Sequence, residues 1–311
     1  MLNTPFDCIF RLQQEPKDKI MKKILLLLAI TSLMACNPTK KLPSLQSQAD
    51  AAFEQADYNK AYTLYKEYTA IASTNNVDIT PNLNVKLAQA CVQLDKVDEA
   101  SALYNALLED EAQIKLIAEY AQMLQSKGQV DDELALWNTH KSQLESSDLQ
   151  KLSFERLITL QTSKKDYAAV IASYNSRGDL KASKQAQLSH VKALEATKKG
   201  YAAVKACNLL LKEAPDYTEA LEWKAKYYYE KAEKRYQYEM AKYNKKKNAT
   251  TYAYLRRDLK KVSADFRIAR STYLKLRKQD ASNKSYIRHL KNIYLRLDQK
   301  GEAAKMDRLL K

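Results

Sequence analysis

The sequence predicts an all-α protein built from helical hairpins, because scarce glycine is combined with a regular recurrence of short turns. Glycine occurs 4 times and proline 6 times in 311 residues. Sheets with tight turns need more glycine, so helices are the economical solution. A tyrosine or valine follows a turn at positions 58, 97, 130, 167 and 201, in steps of 39, 33, 37 and 34 residues. Such a period is typical of stacked helical hairpins.

The first hairpin is centred on the turn Ala56-Asp57-Tyr58. Residues 51–55 have the composition of the end of one amphipathic helix, and residues 59–65 that of the start of a second. A single hairpin buries too little apolar surface to fold alone. We therefore expect each hairpin to be stabilised by its neighbours.

The second hairpin carries large, small and aromatic residues at a characteristic spacing. These residues are Leu87, Ala88, Cys91, Ala100 and Tyr104. The pattern resembles the tetratricopeptide repeat over about five hairpins in residues 44–216, and more weakly in residues 283–311. It departs from that repeat at Glu133, where a small residue is usual, and its closing proline occurs only at Pro215. The resemblance implies a helical solenoid whose groove binds protein segments.

An apolar segment near the start of the chain, residues 21–36, has the features of a secretory signal peptide. Residues 21–23 are a basic start, and residues 24–33 form an apolar run too short to span a bilayer. A cysteine directly after a small residue at the end resembles a bacterial lipobox, which implies cleavage before Cys36 and its diacylation. An ordinary signal peptide and a buried apolar helix are the alternatives.

The flanks of this segment are interpreted in the same way. Residues 1–20 precede a better start at Met21 and are read as a start-site extension. Residues 37–43 are predicted to be a short polar tether. Because no aspartate follows Cys36 and no acidic run is present, the resemblance implies the periplasmic face of the outer membrane.

Residues at the turns predict where helices begin and end. Asp57 and Asp166 are expected to accept hydrogen bonds from free backbone amides at helix starts. Thr80 is expected to do the same with its hydroxyl, before Pro81 in the first turn. Three glycines are expected to end helices in the left-handed conformation: Gly128, Gly200 and Gly301.

After Pro215 the pattern changes to a longer helical hairpin, residues 217–280. Apolar residues in its second helix step by 3 and 4, as in a coiled coil. They are Tyr252, Leu255, Leu259, Val262, Phe266, Ala269, Tyr273 and Leu276. The facing residues of the first helix are Ala225, Tyr229, Ala232, Tyr236, Met240 and Tyr243. We expect an antiparallel pair, followed by a closing hairpin over residues 283–311.

The formal net charge of +15 is concentrated in this long hairpin. Residues 224–278 contain 18 basic and 5 acidic residues, and residues 1–36 carry a further +2, so the remainder is neutral. Eight basic residues cluster around the predicted tip against Asp258 alone: Lys242, Lys245, Lys246, Lys247, Arg256, Arg257, Lys260 and Lys261. Such a patch attracts anionic partners in a salt-dependent way, although a solvated helix exterior explains it equally well.

Other reactive residues are better interpreted as structural. The acidic triplet at residues 131–133 is expected to complement a helix dipole rather than to bind a metal. Cys91 and Cys207 are expected to be small apolar residues in helix interfaces, not a disulfide. The three histidines are too scattered for a zinc site: His140, His190 and His289. No cofactor is expected, and no catalytic motif is present, so an enzyme is the least favoured class.

These features favour a lipid-anchored adaptor of the cell envelope that binds an unidentified protein partner, in outer-membrane assembly, secretion or transport. The alternative is an envelope protein whose basic hairpin contacts anionic lipid or glycan. Nucleic acid is a third partner class, because tyrosines and basic residues alternate. The export signal argues against it.

Overall fold

The computed structural model describes residues 38–109 and 115–310, and these contain fifteen α-helices and no strand. The predicted all-α class is therefore confirmed. The chain divides into two compact units, residues 1–129 and 130–311. Residues 1–20, the predicted signal segment with Cys36, and the first residue of the predicted tether lie outside the described part.

Within residues 38–109 and 115–129, the first unit consists of a short 3-10 helix and five α-helices. The 3-10 helix is Pro38–Lys41, and the α-helices are α1 (Leu42–Glu54), α2 (Tyr58–Thr74), α3 (Pro81–Gln93), α4 (Val97–Leu107) and α5 (Leu116–Ser126). The predicted tether overlaps α1, because Pro43 is accommodated in the first helical turn and Leu42 is already buried. Consecutive helices joined by short turns, such as α1 and α2, pack as antiparallel pairs.

Polar contacts that involve two tyrosines link successive hairpins of the first unit. The hydroxyl of Tyr65, which is fully buried, donates to Asp50 Oδ1 at 2.6 Å. Lys86 of the next hairpin donates to the same oxygen at 2.8 Å. Tyr62 donates to Glu99 Oε2 at 2.9 Å. Polar side chains therefore bridge the interface that apolar residues bury.

The second unit contains ten α-helices. They are α6 (Val130–Thr139), α7 (Lys141–Glu145), α8 (Gln150–Ser163), α9 (Tyr167–Asn175), α10 (Lys184–Ala196), α11 (Gly200–Glu213), α12 (Thr218–Lys245), α13 (Ala249–Gln279), α14 (Lys284–Arg296) and α15 (Lys300–Leu310). The extra short helix α7 interrupts the alternation of paired helices between α6 and α8. The predicted long hairpin corresponds to α12 and α13, and the closing hairpin to α14 and α15.

The turns are more uniform than the sequence indicates. In six of them, a left-handed residue lies two positions before the second helix starts: Ala56, Asp95, Gly128, Lys165, Lys198 and Asp298. The prediction for Gly128 is therefore right, with φ of 69°. It is wrong for Gly200 and Gly301, which lie in the first turns of α11 and α15. The left-handed residues of the turns before those two helices are Lys198 and Asp298.

The predicted caps are confirmed in part. Asp57 accepts from the backbone of Lys60, and Asp166 accepts from that of Ala169. Thr80 does occupy the residue before α3, but its side chain makes no capping bond. Pro81 supplies no backbone N–H, so one fewer free donor remains at that end.

The long hairpin is held together by the predicted seam. Leu255, Val262, Phe266, Ala269, Tyr273 and Leu276 are all buried. Tyr252, the outermost seam residue, is instead 50% exposed. It lies in the first turn of α13, next to the connection that Asn248 caps through a reciprocal bond with Thr251. Its ring centre nevertheless lies 6.0 Å from that of Tyr243, the facing residue predicted on α12. The seam therefore reaches the connection, with its outermost pair partly open to solvent.

Candidate binding surfaces

The structure brings the eight predicted basic residues to the ends of α12 and α13 that meet at the connection, and all eight are exposed. Only Arg257 forms an ion pair, with Nη2 3.0 Å from Asp258 Oδ2. Within the described residues, none of the other seven lies within 4.0 Å of a carboxylate oxygen. We call this set the basic tip. It comprises Lys242, Lys245, Lys246, Lys247, Arg256, Arg257, Lys260 and Lys261.

Asp258 neutralises only a small part of the basic tip. The hydrogen bonds from Arg257 hold the pKa of this carboxyl below its usual range and raise the pKa of the guanidinium. Lys261 adds to the first effect through its charge. The Arg257 guanidinium also lies 5.3 Å from the centre of the Tyr254 ring. The tip thus presents cations beside exposed aromatic surface, which suits an anionic partner.

A second candidate surface is a groove of about 450 Å³ in the first unit, which we call the amide groove. Its aromatic side chains are Phe53, Tyr58 and Tyr104. Its polar side chains are Gln89, Gln93, Glu119, Gln122 and Ser126. The residues from α3 and α5 are three or four positions apart, so each helix turns one face to the groove. Sequence analysis predicted a peptide-binding groove but none of these residues.

The floor of the amide groove is a buried aromatic side chain. Tyr104 is buried and stacks on Tyr120, with ring centres 5.0 Å apart. Burial raises the pKa of Tyr104 to about 12, so the phenol stays neutral. Above this floor, Gln89 Nε2 donates to Glu119 Oε2 at 3.1 Å. A glutamine amide offers both donors and an acceptor, which is what a bound peptide backbone requires.

The second unit has a cavity of about 430 Å³ beside α8 and α9. It has an apolar side at Phe154 and Leu157, and both charges on its rim, including Arg177 and Asp179. The guanidinium of Arg177 lies 4.0 Å from the centre of the Tyr174 ring. Mixed charge gives this cavity no clear preference for one ligand class.

The histidine next to this cavity is uncharged near neutral pH. His190 stacks on the Tyr174 ring at 4.0 Å. Burial, with a smaller contribution from the charge of Arg177, lowers the pKa of His190 to about 4. Residues on separate helices make this arrangement, so no local sequence pattern could have predicted it.

The acidic triplet is structural, as predicted, but Glu133 does more than complement a dipole. It is 1% exposed and accepts from Arg156 Nε at 2.8 Å and Nη2 at 2.6 Å. The indole of Trp137 donates to it at 3.1 Å. Asp131 pairs with Lys164. Among the described residues, no cluster of ligating side chains could hold a metal ion.

The two described cysteines are buried free thiols in their own hairpins. Burial raises the pKa of Cys91 to about 11, and Glu99 contributes to the shift. Burial also raises the pKa of Cys207 to about 11. Thiols with such values are poor nucleophiles at neutral pH. They fit the predicted role of small apolar residues.

No helix within residues 38–109 and 115–310 combines the length and apolar character needed to cross a bilayer. No protein-family profile matches the chain. No curated protein matches it either.

Solved structures with helical repeats do match. A putative protein binding protein from Bacteroides ovatus is 14% identical, with a TM-score of 0.49, over 71% of this chain and 100% of that one. The C-terminal part of a repeat-containing protein from Cytophaga hutchinsonii is 14% identical, with a TM-score of 0.49, over 84% and 92%. A tetratricopeptide repeat protein from Parabacteroides merdae is 15% identical, with a TM-score of 0.40, over 82% and 99%. These likenesses concern the fold and assign no activity.

Proposed function

We propose that this protein is a non-enzymatic scaffold that holds a segment of a partner protein in the amide groove. The carrying observation is the combination in one groove of a stacked aromatic floor and three glutamine amides. The aromatic floor offers apolar contact to side chains of a bound segment. The amides offer hydrogen bonds to its backbone, whatever its sequence.

The groove is suited to a neutral extended segment rather than to an anionic ligand. Its charge is limited to Glu119, which already accepts from Gln89. A phosphate or carboxylate ligand would therefore meet repulsion rather than a cation. Gln93 and Gln122 are exposed and make no hydrogen bond to another described side chain, so both are free to pair with a bound backbone.

A peptide library selected on the purified full chain tests this function. We expect enriched peptides whose affinity falls at least about tenfold in the double variant Gln93→Ala and Gln122→Ala, since each lost bond is worth about 1 kcal/mol. The matched control is Gln48→Ala, an exposed glutamine of α1 outside the groove. If no peptide is enriched, or the groove variant binds as well as the control, the proposal is wrong.

We also propose that diacylation of Cys36 anchors the scaffold to the periplasmic face of the outer membrane, in assembly, secretion or transport. The sequence pattern of residues 21–36 supports this. Two acyl chains hold a protein stably at a bilayer, whereas one does not. Radiolabelled palmitate should appear on the wild-type chain and be absent from Cys36→Ser. Label that is retained by the variant would contradict the anchor.

A second candidate function is supported by the basic tip: contact with anionic lipid or glycan of the envelope. Seven of its cations have no carboxylate within ion-pair distance in the described structure. Near an anionic surface each contributes roughly 1 kcal/mol at low salt. The chain should bind vesicles of phosphatidylglycerol at low salt, and charge reversal of Lys245, Lys246 and Lys247 should abolish this. Equal binding by the variant would exclude the tip.

A further inference from the structure

The outward face of α11 carries apolar side chains that no other described helix covers. Tyr201 is 88% exposed and Leu209 is 57% exposed. Both lie on the same face of the helix as Val204, which is half-buried. Positions 201, 204, 205, 208, 209 and 212 share this face because they follow the helical repeat of three to four residues. We call these six positions the α11 stripe. Exposed apolar and basic side chains thus alternate on this face, and exposed apolar groups beside polar ones are typical of interaction sites.

Tyr201 is exposed because of a shift of one residue in the repeat. In three equivalent turns the second helix begins with a half-buried residue, namely Tyr58, Val97 or Tyr167. At α11 that position is Gly200, where a Cβ atom would lie 2.6 Å from the Tyr227 hydroxyl oxygen. The tyrosine therefore comes one residue later, a rotation of about 100°. This rotation turns its ring to solvent.

The six stripe residues line a shallow depression of about 370 Å³. A second depression, of about 300 Å³, adjoins it and shares Asn208 and Lys212. The second runs between α11 and α13, where Ile268 lies opposite Leu211. Four lysines and no carboxylate line the two depressions. The lysines are Lys205, Lys212, Lys224 and Lys275. Glu213, the acidic residue of α11, accepts instead from Gln187 of α10 at 3.3 Å.

We propose that the α11 stripe binds an acidic amphipathic helix of a partner protein. The 14 residues of α11 span about 21 Å, enough for about four turns of a partner helix. Its apolar residues would cover Tyr201, Val204 and Leu209. Its carboxylates would meet Lys205 and Lys212 within the stripe, and Lys224 and Lys275 of the adjoining depression. A second copy of the stripe fits poorly, because lysines would then face lysines. The inference rests on the proposed scaffold function but uses a different surface.

The test is binding of a synthetic helical peptide of about 18 residues, with leucine on one face and glutamate on the other. Fluorescence anisotropy with the purified full chain measures its affinity. We expect the double variant Tyr201→Ser and Leu209→Ser to bind at least about tenfold more weakly. The variant Lys205→Glu and Lys212→Glu should show a similar loss. All four side chains are exposed, so neither variant removes core packing.

Two controls separate this site from general attraction to a basic protein. The variant Lys246→Glu and Lys247→Glu changes the same charge at the basic tip and should lower peptide affinity much less than either stripe variant does. A peptide of the same composition without an apolar face should bind weakly. Peptide affinity that depends on the tip and not on the stripe would overturn the proposal.

The other occupants of the stripe give distinct results. Suppose that peptide affinity is unchanged in the serine variant. If the wild-type chain then sediments as a dimer and the variant as a monomer, the stripe binds a second copy. If the variant instead loses binding to phosphatidylglycerol vesicles, the stripe binds a membrane. Either result overturns the proposal. If library peptides bind the amide groove but the acidic peptide binds nowhere, this inference fails while the proposed function stands.

Discussion

The short hairpins and the long hairpin are stabilised in different ways. In the first unit, Tyr62 and Lys86 connect one hairpin to the next through Glu99 and Asp50. In the long hairpin, α12 is tied to α14 as far as its middle, where Glu233 pairs with Arg296. From residue 237 to residue 261, by contrast, each side-chain hydrogen bond and ion pair of the described structure stays within the hairpin.

This difference shows why the charge lies where it does. A short hairpin depends on its neighbours, so a cluster of like charges there would disrupt interfaces that it needs. The outer part of the long hairpin depends on its own seam. The charged side chains buried there are the carboxylates Glu239 and Asp258, and the basic residues of the tip stay outside. Like charges can gather on its outside at a small cost in stability. The basic tip is therefore compatible with the fold without contributing to it.

The largest expected effect is loss of the seam. Phe266 is 1% exposed, and Phe266→Ala should lower the free energy of unfolding by about 3 to 5 kcal/mol. Urea denaturation followed by circular dichroism measures this. Tyr238→Ala, on the exposed side of α12, should cost little.

Leu255→Ala, near the tip, should mainly increase local amide exchange, because the outer end can fray alone. An equal global loss in Leu255→Ala would contradict the independence of the outer end.

A smaller loss is expected where two short hairpins are tied together. Glu133→Ala removes the carboxylate that pairs with Arg156 and leaves the guanidinium without its partner. The free energy of unfolding should fall by about 3 kcal/mol. Adding Arg156→Met removes the unpaired charge and should recover part of that loss. Thermal melts of the single and double variants give the comparison. If the double variant is less stable than Glu133→Ala, the pair does not act through its charge.

The next prediction compares the caps of the two regions. Asp166→Ala removes the acceptor for Ala169 N–H in a short hairpin and should cost about 1 kcal/mol. Asn248→Ala removes a similar cap at the end of the long hairpin, but we expect faster local exchange there and little global change. Thr80→Ala should be neutral, because the Thr80 side chain makes no capping bond. Three equal losses in urea denaturation would contradict this ranking.

Much of this fold could be predicted from the sequence, because the regular spacing of apolar and turn residues is visible along the chain. The seam residues, the aspartate caps and the tip all follow from local spacing. The amide groove and the link between Glu133 and Arg156 do not, because their residues come from different helices and pair only after folding. The exposure of Tyr201 could not be predicted from local spacing either, since it depends on Tyr227 filling the space beside Gly200.

The turns were predicted least well, as a comparison of Gly128 with Gly301 shows. Substitution of these two glycines gives the smallest expected effect. Gly128 is left-handed, whereas Gly301 lies in a helical turn, and a Cβ atom at either would meet nothing within 4 Å. The two positions thus differ in backbone conformation but not in available space. Gly128→Ala should cost about 1 kcal/mol, because a side chain disfavours the left-handed region. Gly301→Ala should gain about 0.5 to 1 kcal/mol by restricting the unfolded chain. Changes of the same sign in urea denaturation would show that something other than the turn conformation controls these positions.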